Sequence, residues 1–163
     1  LITPDATQVP DPLMTLTDIV ECPLAKTDAL LASLAGNETV LVVEDDPDVL
    51  AVAVRFLQSL GYRVFTATNR RTASTRVRAH PDIALLFTDV VLQGDETGPR
   101  VAASLQKIKP DLRVLYASGY AKSALPLQLG LNDEIAFLRK PYSRDQLGQA
   151  VRKVLSDEPD GKR

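Results

Sequence analysis

From Thr39 onward, short apolar runs alternate with stretches in which apolar residues return every three or four positions. Residues 40–43, Val-Leu-Val-Val, are typical of a strand that is buried on both faces. Similar runs predict four more strands, over residues 62–67, 83–88, 112–117 and 135–138. The helical spacing predicts helices over residues 47–60, 70–79, 98–108, 120–129 and 144–155. This regular alternation with short connections predicts an α/β fold built on a doubly wound, five-stranded parallel sheet.

The first 38 residues follow a different pattern. Four of the 11 prolines lie within the first 23 residues, without any sustained period. We therefore expect residues 1–38 to form an extra N-terminal arm or linker, with a short helix over 28–35. Residues 39–155 are predicted to form the folded domain, and residues 156–163 a disordered tail. Because the chain begins at Leu1 without a start methionine, we expect it to be part of a longer protein.

Composition excludes several classes of protein. The net charge is −2, which argues against a nucleic-acid binder with a basic surface. The longest stretch without a charged residue, 123–132, is far shorter than the ~20 residues of a membrane-spanning helix. The chain has one cysteine, Cys22, and one histidine, His80. An internal disulfide and a metal site built from several cysteines or histidines are therefore excluded.

Acidic, hydroxyl and cationic side chains follow directly after the predicted strands. Glu44 and Asp45 follow the first strand, Asp89 the third, Ser118 the fourth and Lys140 the fifth. In the flavodoxin-like strand order 2-1-3-4-5, the first and third strands are neighbours, so Asp45 and Asp89 should face each other. Two carboxylates at ~4 Å repel each other by a few kcal/mol near a protein surface, and a hard cation such as Mg²⁺ relieves that repulsion. The pattern therefore predicts a magnesium site suited to phosphoryl transfer.

Four motifs in this order resemble the receiver domain of two-component response regulators, over roughly residues 39–155. They are Val-Leu-Val-Val-Glu44-Asp45-Asp46-Pro47, Leu-Leu-Phe-Thr-Asp89, Val-Leu-Tyr-Ala-Ser118-Gly-Tyr and Phe137-Leu-Arg-Lys140-Pro141-Tyr142. The resemblance implies a CheY-like fold. Ser-Gly-Tyr and Lys-Pro-Tyr-Ser are most similar to the C-terminal receivers of hybrid sensor histidine kinases, so membership of such a kinase is a further expectation.

The resemblance also implies the roles of the acidic residues. Asp89 matches the aspartate that accepts the phosphoryl group. Asp45 and Asp89 match direct ligands of Mg²⁺, for which Mn²⁺ can substitute, and Glu44 matches an acid that acts through water. The backbone carbonyl of Val91 matches the third protein ligand.

The remaining site residues carry catalytic and switching roles in the resemblance. Ser118 matches the hydroxyl that moves to the phosphoryl oxygens, and Lys140 matches a lysine that precedes a cis proline. Phe137 matches a switch aromatic, although its position alone predicts a core residue. Val91 and Tyr120 stand two positions after Asp89 and Ser118, where bulky side chains predict an aspartyl phosphate that hydrolyses over minutes or longer.

The implied function is that of a phospho-accepting regulatory domain rather than of an enzyme with a separate substrate. We expect the phosphoryl group to come from a phosphohistidine on a histidine kinase or a histidine phosphotransfer protein. We expect no nucleic-acid contact and no membrane contact within this chain, and a cytoplasmic location. The sequence leaves the input signal, the cognate partner and the formation of a homodimer undecided.

Two other classes fit the sequence poorly, and a third stays open. An aspartyl phosphatase usually has a second acid two positions after its nucleophile, where this chain has Val91. A nucleotide-binding module needs a glycine-rich turn after the first strand. The open alternative is a receiver-like docking module that works without phosphorylation.

Several charged and aromatic residues have simpler interpretations. We interpret Asp46 as a helix cap rather than a metal ligand, and His80 as a surface residue. The arginines of the second predicted helix of the domain are interpreted as its solvated face. The sequence departs from the receiver pattern at Gln93, where the family often has proline, at the Arg70–Arg71 pair and over 125–134.

Overall fold

The computed structural model describes residues 23–119 and 135–157. In chain order the elements are α1 (Pro23–Leu34), β1 (Thr39–Val43), α2 (Pro47–Ser59), β2 (Arg63–Ala67), α3 (Arg70–Ala79), β3 (Ile83–Asp89), α4 (Gly98–Ile108), β4 (Arg113–Ser118), β5 (Ala136–Arg139) and α5 (Arg144–Ser156). The helix predicted over 120–129 lies outside the described residues. The predicted tail, 156–163, begins one residue too early, because Ser156 still belongs to α5, and its residues 158–163 lie outside the described part of the chain. No helix in the described part of the chain is long and apolar enough to cross a lipid bilayer.

The five strands form one parallel sheet in the order β2-β1-β3-β4-β5, so the predicted doubly wound, CheY-like architecture is confirmed. All five residues of β1 are buried, as a central strand covered on both faces requires. Val43 pairs with Thr88, and Asp89 pairs with Ala117. This register brings the carboxyl ends of β1, β3 and β4 to the same edge of the sheet.

Local side-chain chemistry fixes the ends of the helices. The Asp46 carboxylate accepts hydrogen bonds from the backbone N–H groups of Asp48 and Val49, so the predicted cap of α2 is confirmed. Ser143 and Gln146 form the predicted capping box at the start of α5. Both helices therefore begin where the sequence places them.

Strand ends differ from the prediction by one residue because hydrogen bonding to a neighbour, not apolarity, sets them. β4 extends to Ser118 because this residue still pairs with Arg139 of β5. Tyr62, predicted to begin β2, lies before the strand, and its buried hydroxyl donates to the Leu34 carbonyl at 3.1 Å.

Helix α1 begins at Pro23, upstream of the predicted start at residue 28. Proline is tolerated in the first helical turn because its missing N–H has no intrahelical partner there. The chain forms two compact units, one ending at Ser33 and one beginning at Leu34. In the second unit, Gly36 N–H donates to the Leu60 carbonyl at 3.0 Å. Part of the segment predicted as an arm is therefore packed into the unit that carries the sheet.

Candidate functional site

The Lys140 ammonium joins two acids at the carboxyl edge of the sheet. Its Nζ atom lies 2.6 Å from Asp89 Oδ2 and 3.0 Å from Glu44 Oε2. Burial alone would lower the pKa of Lys140, but its hydrogen bonds to Asp89 and Glu44 outweigh burial, so the pKa lies above its usual value. Lys140 is therefore a charged cation held between two carboxylates.

The backbone around Lys140 aims its side chain at these acids. Lys140 N–H donates to the Ser118 carbonyl at 2.8 Å, which continues the contact between β4 and β5. The Lys140–Pro141 peptide bond is cis, as the resemblance implies. Ser118 is buried at the end of β4, one residue beyond the partner of Asp89. The structure therefore brings Glu44, Asp89, Ser118 and Lys140 to one edge.

Glu44 is 95% buried, and hydrogen bonds occupy both of its carboxylate oxygens. Oε1 accepts from the N–H groups of Asp45 and Asp46, each at 3.1 Å, while Oε2 accepts from Lys140. Such a buried carboxylate needs these donors to offset its lost hydration. Glu44 therefore anchors Lys140 in the structure, and its contact with a metal through water remains a prediction.

The loop after β3 folds back onto the two other acids. Val91 N–H donates to Asp89 Oδ1 at 3.2 Å, and Gln93 N–H donates to Asp45 Oδ2 at 3.1 Å. The second contact requires a residue other than proline, because proline has no N–H. Gln93, identified in the sequence only as a departure from the family pattern, thus holds a site carboxylate through its backbone.

Gly98 allows the backbone of Asp89 to approach α4 closely. From the sequence, Gly98 was predicted only to begin a helix. A Cβ atom at Gly98 would lie 2.2 Å from the Asp89 carbonyl oxygen, well inside van der Waals contact. Gly98 N–H donates to the Val90 carbonyl at 2.9 Å. The signal in the sequence is a glycine at the first position of the helix that follows the acidic loop.

The donor set fits Mg²⁺ better than metals that prefer nitrogen or sulfur. Asp45 and Asp89 would supply hard carboxylate oxygens, and Val91, in the loop after β3, would supply a carbonyl. Over residues 23–119 and 135–157, no three side chains of His, Cys, Asp or Glu group as metal ligands. Two carboxylates, a carbonyl and water suit Mg²⁺, which keeps several of its waters.

Phe137 lies on the face of β5 that packs against the core. Its ring centroid is 5.6 Å from that of Tyr116, its pairing partner in β4, and its side chain is half-buried. Burial raises the pKa of Tyr116 to about 12, so its hydroxyl stays protonated at neutral pH. The switch role of Phe137 stays a prediction.

His80 differs from its interpretation as a surface residue. Its imidazole stacks on Phe65 with ring centroids 3.9 Å apart, and it is half-buried. An aromatic partner on β2 gives His80 a packing role that the sequence does not reveal. Cys22, the one cysteine, and Tyr120, on which the prediction of slow hydrolysis partly depends, lie outside the described residues.

Comparisons with known proteins agree with this geometry. Residues 40–152 match the family described as the response regulator receiver domain. The chain is 34% identical over 126 residues to the sensor kinase CckA of Brucella abortus, covering 77% of this chain but only 13% of that kinase. It is 30% identical over 116 residues to the response regulator receiver protein CpdR of the same organism, covering 71% of this chain and 95% of CpdR.

A solved structure adds the three-dimensional match. The receiver domain of the hybrid histidine kinase CckA superposes with a TM-score of 0.59 at 28% identity, covering 72% of this chain and 98% of that domain. The family match spans most of the chain, and the strand order and the Lys140 contacts lie within it. The chain therefore belongs to the response regulator receiver domain family of two-component systems.

Proposed function

We propose that this receiver domain accepts a phosphoryl group on Asp89 from a phosphohistidine, and that Mg²⁺ is required. Receiver domains are regulatory modules that interact with histidine kinases or phosphotransfer proteins. The observation that carries the proposal is the 2.6 Å contact between the Lys140 ammonium and the Asp89 carboxylate, at an edge that also carries Asp45. The site thus combines a nucleophile, a cation and a hard-oxygen donor set.

In this proposal the transfer is a single displacement at phosphorus. An Asp89 carboxylate oxygen forms the new P–O bond, while the P–N bond breaks and its electron pair leaves with the imidazole of the partner. The protein's contribution is mainly position and charge, since phosphoryl transfer needs little covalent chemistry from side chains. Lys140 holds Asp89 in place before transfer and supplies positive charge to the phosphoryl oxygens afterwards.

The other residues position and sense the phosphoryl group. Asp45, Asp89 and the Val91 carbonyl would hold Mg²⁺, or Mn²⁺ in its place. When bound, the cation neutralises negative charge on the acids and on the incoming phosphoryl group. The Ser118 hydroxyl would donate to a phosphoryl oxygen, and its movement would change the packing of Phe137 and hence a docking face on β4 and β5.

The wider context belongs to the same proposal. The 34% identity to a sensor kinase supports a place for this domain in a hybrid histidine kinase. The match to CpdR covers 95% of that protein, and it equally supports a receiver that works as a separate chain. In both settings the domain would exchange phosphoryl groups with a histidine-bearing partner.

Intact-mass measurement after incubation with acetyl phosphate and Mg²⁺ tests the proposal. We expect an adduct of about 80 Da on the full chain, absent when Mg²⁺ is chelated and absent from Asp89→Ala. Lys140→Met should keep Asp89 but form far less adduct, because the carboxylate loses its cation. Asp48→Asn, which neutralises an exposed acid in the first turn of α2, is the matched control and should label like the original chain.

Two results would contradict the proposal. An adduct that persists in Asp89→Ala would place the phosphoryl group elsewhere. A folded chain that forms no adduct, with a melting temperature indifferent to Mg²⁺, would support the docking module that works without phosphorylation.

A further inference from the structure

A basic groove lies between helices α3 and α4. It has a cavity volume of about 780 Å³, and its charged lining consists of Arg70, Arg71, Arg78, Lys107 and Glu96. Four cations therefore face one acid, in a chain whose net charge is −2. We call this surface the basic groove.

Most of the charge in the basic groove is not neutralised by the protein. Glu96 Oε1 lies 3.4 Å from Arg70 Nε and forms an exposed ion pair with it. Across the described residues, Arg71, Arg78 and Lys107 have no acidic partner. All three side chains are exposed. The basic groove therefore presents three cations that form no ion pair with an acid of the described residues.

The sequence of α3 places two cations of the basic groove, Arg70 and Arg71, at a cost to helix stability. Four of its ten residues are arginine, and its first turn contains no acid. Arg70 and Arg71 occupy that first turn, where the positive end of the helix dipole disfavours cations. The core contacts of α3 are made by Ala73 and Val77, so packing does not explain the arginines. Such conflicts between local preference and sequence are typical of functional positions.

The spacing of the cations suits a helical ligand. Arg71 and Arg78 are two helical turns apart, about 10 Å along the axis of α3, and Lys107 faces them from α4. Acidic residues three or four positions apart on a helix have Cβ atoms about 5–6 Å from one another, so acids along two turns of a helix match this span. Guanidinium groups bind carboxylates through two parallel hydrogen bonds.

The lining also distinguishes a protein ligand from a nucleotide. Among the described residues that line the basic groove none is aromatic, so it offers no surface for stacking a base. Ser74 and Ser104 add hydroxyl donors, and Ile108 adds one apolar contact. The Thr75 hydroxyl is already used, because it donates to the Arg71 carbonyl at 3.1 Å. We propose that the basic groove docks an acidic segment of a partner protein.

Binding of a fluorescein-labelled oligoglutamate peptide to the full chain tests this inference. We expect chemical-shift changes at the amides of α3 and α4, and affinity that falls as salt is added. Arg71→Gln combined with Arg78→Gln should weaken binding about tenfold, because two exposed ion pairs are lost. The matched control, Arg55→Gln with Lys153→Gln, removes the same charge from exposed positions on α2 and α5 and should bind like the original chain.

Three outcomes would overturn the inference. Absence of binding would do so, as would equal weakening in the control, which would indicate attraction to charge in general. Tighter binding of oligothymidylate than of oligoglutamate would assign the basic groove to a phosphate-bearing ligand instead. Circular dichroism and labelling with acetyl phosphate, measured on each variant, separate loss of binding from loss of fold and from failure of the Asp89 proposal.

Discussion

At the scale of single residues, a missing side chain determines how closely α4 approaches the Asp89 backbone. Gly98 leaves room for the Asp89 carbonyl oxygen, which would otherwise lie 2.2 Å from a Cβ atom. Since that neighbour is backbone rather than the end of a flexible side chain, it cannot move aside without shifting β3. The position of Asp89, the proposed phospho-acceptor, thus depends on a glycine that has no side chain.

We therefore expect Gly98→Ala to lower the free energy of unfolding by about 2 kcal/mol, as overpacking in a rigid core does. The same variant should slow labelling of Asp89, because the acceptor shifts relative to Lys140. Urea unfolding and timed mass measurement check both effects. Gly119→Ala is the control, because a Cβ atom there meets no atom of the described residues within 4 Å. An equal loss in both variants would refute the steric explanation.

At the scale of the elements, α2 begins directly beside the site. Asp46 acts as the N-cap of this helix and is not one of the acids of the proposed metal site. Its carboxylate caps the N–H groups of Asp48 and Val49. We expect Asp46→Ala to cost about 1 kcal/mol of stability, the usual loss for an N-cap, while Mg²⁺-dependent labelling of Asp89 continues.

Asp46→Asn should restore the stability, because asparagine caps a helix about as well as aspartate. Thermal unfolding with parallel mass measurement separates the two roles. If Asp46→Asn keeps the stability but loses the labelling, Asp46 contributes to the metal site after all.

Element types and their order could be predicted from the sequence because each follows from local pattern. Buried strands give apolar runs, and residues such as Asp46 and Ser143 mark helix starts directly. Strand ends could not be predicted in the same way, since the end of β4 at Ser118 depends on pairing with Arg139 of another strand. The convergence of Asp89 and Lys140 was predictable only through the strand order, whereas the Gln93 contact with Asp45 depends on how a loop folds back.

At the scale of the whole sheet-bearing unit, an ion pair connects two residues that lie far apart in the sequence. Arg152 of α5 donates to Glu38 at 2.5 Å, across 114 positions, and its guanidinium lies 5.4 Å from the Tyr62 ring centroid. Neither residue stands out in the sequence, because no local pattern links them. The pair holds the segment before β1 against the last helix.

This pair predicts a contribution to stability that depends on pH. Burial tends to raise the pKa of Glu38, but the hydrogen bond from Arg152 outweighs it and holds the pKa below its usual value of 4.5. The stabilisation is therefore complete above pH 4.5 and disappears as the pH falls through the lower value in the folded chain. Because the pair is partly exposed, we expect it to contribute at most about 1 kcal/mol.

Glu38→Gln should accordingly be less stable than the original chain at neutral pH and equally stable in acid. Urea unfolding at a series of pH values measures the difference between the two chains. A difference that stays constant from neutral to acidic pH would show that packing, rather than charge, accounts for the role of Glu38.

Because the Gln93 N–H donates to the Asp45 carboxylate, the stiffness of the loop after β3 depends on whether that carboxylate is free to accept the hydrogen bond. A proline ring would restrict the backbone at this position permanently, whereas an amide holds it only while the Asp45 oxygen is available. A divalent cation bound at that same oxygen would draw on its electron density and so would weaken its hydrogen bond with the amide. Loading the site with an ion would then loosen the loop in this chain, while a proline-bearing relative would keep its loop equally rigid with and without the ion.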